Sequence, residues 1–133
     1  MLDKSKTYLI VGLGLLGGKY AQVLSQKGYS VTGITHSQVT LDYALQHDYI
    51  RAGKNADFED LIRAADCIVF GLYPTVLLEW VAQYGQYIRP GTMVTDVSGV
   101  KRGVVEPVQA ALPDGVEFIA SHPMAGRRSI ACP

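Results

Sequence analysis

The sequence predicts an α/β fold, a doubly wound parallel sheet with helices on both faces in three layers. Two observations carry that expectation. Apolar runs of strand length, such as YLIV and CIVF, alternate with segments of helical period. Their continuous apolarity suits strands covered on both faces. The stretch GLGLLGG at 12–18 then stands directly between the first such run and the first helical segment. With 133 residues the chain can remove roughly two-thirds of its unfolded surface from water, which is enough for one core.

The first strand is read at 7–11. A helix over 15–27 follows, carrying Leu16, Tyr20, Val23 and Leu24 on one stripe and stopping at Gly28. The second strand is 30–34, followed by a helix at 38–47, a short strand at 49–51 and a helix from Asp57 with Phe58, Leu61, Ile62 and Ala65 turned inward. The fourth strand is 67–71. After Pro74 a helix to Ile88 buries Leu77, Trp80, Val81 and Tyr84, and Arg89-Pro90-Gly91 turns the chain into a fifth strand, 93–97. A helical stretch after Val100 is expected to be interrupted at Pro107, whose ring opposes the carbonyl four residues earlier. The sixth strand is 116–120. Crossover rules give the strand order 3-2-1-4-5-6, with ligand at the carboxyl ends where the order reverses. Five loops then share one rim, beginning at Gly12, Thr35, Leu72, Asp96 and Ser121.

Lys plus Arg and Asp plus Glu both number 12, so no net field favours nucleic acid or an anionic membrane. A small-molecule substrate is the expected partner. The N-terminal MLDKSK mixes charges, and no apolar run approaches the ~20 residues of a membrane span. A cytoplasmic location follows as an expectation. The two cysteines, Cys67 in an apolar run and Cys132 near the end, show no metal-ligand spacing; Cys67 reads as core, and no metal is expected.

Gly12, Gly14 and Gly17 have GxGxxG spacing between a strand and a helix. The first permits a tight turn, the second lets a pyrophosphate approach the backbone, and the third lets helix pack on strand. Unpaired N–H groups at the helix start, here including Leu15, Leu16 and Gly17, suit phosphate. This is the dinucleotide-binding Rossmann arrangement; read structurally, it is only a tight turn. A site for NAD usually has an acid at the end of the second strand for the ribose 2′-hydroxyl. Here that place holds Thr35, His36 and Ser37. Nothing there repels a 2′-phosphate and three side chains can donate to it, so NADP is expected ahead of NAD. The plainer role for Ser37 is to cap the next helix.

His122 follows the sixth strand at the rim, a candidate general base, although an isolated histidine is more often solvated. His47 ends a helix, where its cation suits the dipole. Leu72, Tyr73 and Pro74 after the fourth strand can wall the cofactor pocket or simply pack. Asp96 can orient a loop at the end of the fifth strand, and Lys101 can meet an anion or remain solvated.

Taken together, GLGLLGG at 12–18, TDVSGVK at 95–101 and SHPMAG at 121–126 resemble the prephenate/arogenate dehydrogenase family of tyrosine biosynthesis, over residues 7–127. The resemblance implies oxidative decarboxylation of a cyclohexadienol: hydride leaves the ring carbon bearing the hydroxyl for the nicotinamide, carbon dioxide departs and the ring becomes aromatic. His122 matches the family's catalytic histidine, which takes the hydrogen bond or proton of that hydroxyl.

Two departures stand out. Many members carry a serine at the position of Gly99 that hydrogen-bonds the histidine and substrate; here the order is Ser98-Gly99. Either Ser98 replaces it or the histidine is less well held. Members also continue past HPMAGR into a helical domain that forms a dimer and completes the substrate site, whereas this sequence reads RSIACP. Residues 1–133 are therefore expected to be the NAD(P)-binding domain, without that helical domain and nearly inactive alone, with a homodimer as a further expectation. The alternatives are a stand-alone, non-catalytic NADP-binding module and another small-acid dehydrogenase on the same fold.

Overall fold

The computed structural model describes residues 5–96 and 102–120. Its elements run β1 (Thr7–Val11), α1 (Leu15–Gln26), β2 (Ser30–Ile34), α2 (Gln38–Gln46), β3 (Ala52–Lys54), α3 (Glu59–Ala64), β4 (Cys67–Phe70), α4 (Pro74–Tyr84), a 3₁₀ turn (Gly85–Tyr87), β5 (Met93–Asp96), α5 (Arg102–Ala111) and β6 (Glu117–Ala120). The six strands form one sheet in the order β3-β2-β1-β4-β5-β6, with every pairing parallel. This is the expected doubly wound order.

The layers follow from the two-residue period of the strands. In β1, Leu9 and Val11 join one core with Ile68, Phe70 and Val94, covered by Ile62 of α3, Leu77 and Val81 of α4 and Val108 of α5. Tyr8 and Ile10 point the other way, into a core with Val31, Cys67 and Val69 covered by Ala21 and Leu24 of α1 and Leu41 and Ala44 of α2. Both halves of the alternation are apolar because both faces are covered. Each such fully buried large side chain contributes roughly 1.5–3 kcal/mol. Register aligns the carboxyl ends of the strands: Val11 pairs with Ile34 and with Phe70, Phe70 with Asp96, and Asp96 with Ala120.

Three parts of the sequence reading need correction. The third strand is Ala52–Lys54, three residues later than its apolar signal at 49–51. Ile50 is instead a buried plug beneath the sheet edge, and a Cβ on Gly53 would stand 2.7 Å from both Ile50 Cδ1 and Leu41 Cδ1. Side chains from outside the strand fill the space that its own side chains would occupy. The helix expected to reach Ile88 ends at Tyr84 and passes into the 3₁₀ turn. Finally, α5 runs through Pro107. That residue is exposed, so its ring faces solvent, while Val108 and Leu112 next to it are buried and hold the helix against the sheet. Burial there outweighs one lost backbone hydrogen bond.

At the amino edge, opposite the loops, Asp66 joins three strands. Its carboxylate accepts from the Thr7 amide at 2.8 Å and from Arg89 Nη2 at 3.0 Å, and the same nitrogen donates to the Ala65 carbonyl at 2.9 Å. The Asp66 carbonyl accepts from the Met93 amide at 3.3 Å.

Pro107→Ala is expected to raise stability in thermal or denaturant unfolding, by ~1 kcal/mol and at most the ~3 kcal/mol a helix-interior proline costs. An unchanged or lowered stability means that α5 does not run through this position in solution.

Candidate nucleotide-binding site

The site is built from the backbone first. Gly12 adopts φ +91°, left-handed and open to glycine, and its amide donates to the Ile34 carbonyl at 2.8 Å, fastening the turn to the end of β2. Leu13 turns inward; a Cβ on Gly33 would lie 2.9 Å from its Cδ1. Gly14 is the residue ahead of α1, and its carbonyl receives the Gly18 amide at 2.7 Å. The amides of Leu15, Leu16 and Gly17 precede the first intrahelical bond, so they belong to the free donors of the helix start. No acid lies in the first turn of α1 to compete for them.

The three motif glycines have different surroundings. A Cβ on Gly17 would run into the Gly12 carbonyl oxygen, and one on Gly12 would stand 2.7 Å from Leu72 Cδ2 and 2.9 Å from the Gly71 carbonyl oxygen. A Cβ on Gly14 would meet nothing within 4 Å. Gly17 and Gly12 are glycine for close packing of backbone, whereas Gly14 faces open space.

At the end of β2, Thr35 is 8% exposed, and its amide donates to the Lys54 carbonyl at 3.3 Å. Its hydroxyl accepts from the Ser37 amide at 3.4 Å. Ser37 caps α2, its hydroxyl accepting from the Thr40 amide at 3.2 Å. Both hydroxyls thus use acceptor capacity on backbone and keep an O–H to donate. His36 is exposed beside them. Next to this corner Lys54 Nζ pairs with Asp60 at 2.9 Å, and the hydrogen bond from Lys54 is the main cause holding the Asp60 carboxyl below its ordinary value. Such an exposed pair adds little. What it adds is present above the ordinary aspartate range and is lost as pH falls through the lowered value.

On the other side of the turn, Leu72 is half-buried against Gly12, Tyr73 is 79% exposed, and Pro74 takes the first position of α4, where its missing N–H costs nothing. Asp96 ends β5 and is 1% exposed, so its side chain belongs to the interior. His47 lies away from this rim, capping α2: its Nδ1 donates to the Tyr43 carbonyl at 2.9 Å and its ring stacks on Tyr43 at 4.0 Å. The structure thus brings Gly12, Gly14, Gly17, Leu72, Thr35 and Ser37 around one turn. Ser98, Gly99, Lys101 and His122 lie outside the described residues. One participant was missed from the sequence: Gly71, at the end of β4, whose amide donates to the Val11 carbonyl at 2.8 Å directly under the turn. The signal available was a glycine ending an otherwise apolar strand, which often marks a close backbone approach. Among the described residues no cluster of histidine, cysteine or acidic side chains could hold a metal, and no helix is long and apolar enough to cross a membrane.

A parallel sheet wound 3-2-1-4-5-6, with a glycine turn leading into a helix at the reversal of strand order, defines a nucleotide-binding domain of the Rossmann class. Residues 20–130 match the family model described as prephenate dehydrogenase, nucleotide-binding domain, and the chain belongs to that family. It is 32% identical over 130 residues to a prephenate dehydrogenase of Bacillus subtilis (strain 168), covering 95% of this chain and 34% of that protein. Among solved structures it is similar to Synechocystis arogenate dehydrogenase, with a TM-score of 0.77 at 26% identity over 87% of this chain and 40% of that one. It is similar also to the prephenate dehydrogenase of A. aeolicus in complex with hydroxyphenyl propionate and NAD+, with a TM-score of 0.79 at 25% identity over 91% and 42%. The chain thus spans about a third of its curated relative and two-fifths of these structures.

Gly17→Ala is expected to lower stability by ~3 kcal/mol or more, at the severe end of overpacking. Gly14→Ala should leave denaturant unfolding nearly unchanged and weaken dinucleotide binding. Equal stability losses in the two variants would contradict this division of roles.

Proposed function

We propose that this chain is the nucleotide-binding part of a prephenate or arogenate dehydrogenase, and that it holds NADP in preference to NAD. The observation that carries the reading is the open space over Gly14 beside the free amides of α1, in a chain of this family. The turn fits a pyrophosphate, and the corner of Thr35, His36 and Ser37 fits a 2′-phosphate: it offers two hydroxyl donors and an exposed imidazole and contains no carboxylate. Leu15, Leu16 and Gly17 contribute backbone amides, Leu72, Tyr73 and Pro74 the opposite wall, and Asp96 steadies the end of β5 from within.

When bound, the nicotinamide supplies a hydride acceptor. In the proposed reaction the ring carbon bearing the hydroxyl gives up hydride, His122 takes the hydroxyl proton, and the bond to the departing carboxylate breaks, its electrons entering the ring as carbon dioxide leaves. Ser98 is proposed to hold His122. Residues 1–133 provide the cofactor half of the pocket in this reading. Closure over the substrate, whose positioning can supply roughly 7–11 kcal/mol of a barrier, comes from a helical part beyond them that also forms the dimer.

The reading is tested by assaying the whole protein with prephenate and arogenate against both cofactors; turnover of neither substrate with either cofactor overturns it. Titration of the unsubstituted protein should show NADP binding at least as tightly as NAD. Thr35→Asp should then move the ratio of the two dissociation constants toward NAD by roughly fivefold or more, the repulsion expected between two solvated charges in contact. A strong NAD preference before substitution refutes the NADP assignment alone. For His122→Asn the expectation is a fall in turnover of ~10²–10⁴-fold with cofactor affinity nearly unchanged, measured by steady-state kinetics and direct titration. Equal loss of both would make His122 structural.

A further inference from the structure

We infer that Gly71 is a positioning residue for the dinucleotide, acting through the space its missing side chain leaves beneath the phosphate turn. The inference rests on the cofactor reading above. Gly71 is not glycine for the sake of torsion: among the described residues the glycines with positive φ are Gly12, Gly28, Gly91 and Gly115. It is glycine for room. A Cβ there would stand 2.9 Å from the Gly12 carbonyl oxygen, 3.0 Å from Gly17 Cα and 3.1 Å from Gly17 N. All three are backbone atoms, so no flexible side chain can swing aside.

The strands cannot yield either. The Gly71 amide is bonded to the Val11 carbonyl at 2.8 Å, and Val11 is in register with Phe70, in the middle of the sheet. The segment left to move is the turn from Gly12 to Gly17. That segment carries the free amides of the helix start, and hydrogen bonds from N–H to an anion weaken steeply when distance or angle is lost. A single methyl group at 71 is therefore felt by the phosphates, although Gly71 belongs to a different strand from the glycine motif.

A merely structural glycine provides the control. A Cβ on Gly53 would also be crowded, 2.7 Å from the side-chain ends Ile50 Cδ1 and Leu41 Cδ1 and 2.9 Å from the Gly33 carbonyl oxygen, but it lies on β3, two strands from the turn that follows β1. Gly71→Ala and Gly53→Ala are made in the full protein, and melting temperature and affinity for NAD and NADP are measured for each. The expected result is that Gly71→Ala loses at least about tenfold in affinity for both dinucleotides, the worth of one charge-assisted hydrogen bond, while Gly53→Ala is destabilised yet stays within about twofold. Unchanged affinity in Gly71→Ala overturns the inference, as does a loss that merely follows the drop in melting temperature in both variants. If the unsubstituted protein binds neither dinucleotide, the cofactor reading fails and this inference with it. Should Gly71→Ala not fold, amide shifts of the unsubstituted protein titrated with ADP decide: Gly12, Gly17 and Gly71 moving together supports the positioning role, and an unmoved Gly71 amide refutes it.

Discussion

Three stretches of bare backbone meet where β1 ends, and the rest of the architecture is arranged around that meeting. Gly12 turns the chain out of β1, Gly17 brings α1 down upon it, and Gly71 lets the end of β4 lie against both. Side chains elsewhere can trade volume with their neighbours and keep the fold. Here there is no side chain to trade. The turn is also bonded outward, from Gly12 to the Ile34 carbonyl and from Gly71 to the Val11 carbonyl, so the carboxyl ends of β2, β1 and β4 are fixed relative to one another within hydrogen-bond tolerance.

That junction lies at the reversal of strand order. From it α1 and α2 pack on one face and α3, α4 and α5 on the other, so the loops that leave β1 and β4 turn toward opposite faces of the sheet. The first turn of α1 has no acid, the end of β2 has hydroxyls where a carboxylate is usual, and Asp96, the acid at the end of β5, is withdrawn from solvent.

Much of this was legible in the sequence because the relevant signals are local. Five strands begin within one residue of where periodicity places them, since runs such as YLIV and CIVF have no other way to bury every side chain. Ser37 caps α2 as its position suggests, and the glycine spacing located the turn between β1 and α1. The failures share a cause in tertiary contact. Ala52–Lys54 has weak strand propensity and pairs where Ile50 and Leu41 fill the space beside Gly53. Pro107 stays helical because Val108 and Leu112 are buried. Gly71 stands 54 residues beyond Gly17 in sequence and against it in space, a juxtaposition that spacing rules cannot express. His122, read from its place after the sixth strand and from resemblance, and Ser98, read from resemblance, lie outside the described residues.

The fasteners at the opposite edge of the sheet carry a different lesson. Asp66 ties Thr7, Arg89 and Met93 together as far from the ligand rim as the strands allow. The clamp at the amino edge therefore shares no residue with the loops at the carboxyl rim, although the glycine junction belongs to both the fold and the rim. Insertions, exchanges and charge reversals among the rim loops can accumulate without loosening the amino-edge clamp. A lineage using this scaffold is free to explore new substrates one loop at a time, and a designer who grafts such loops inherits the same freedom, provided the glycine junction is left alone.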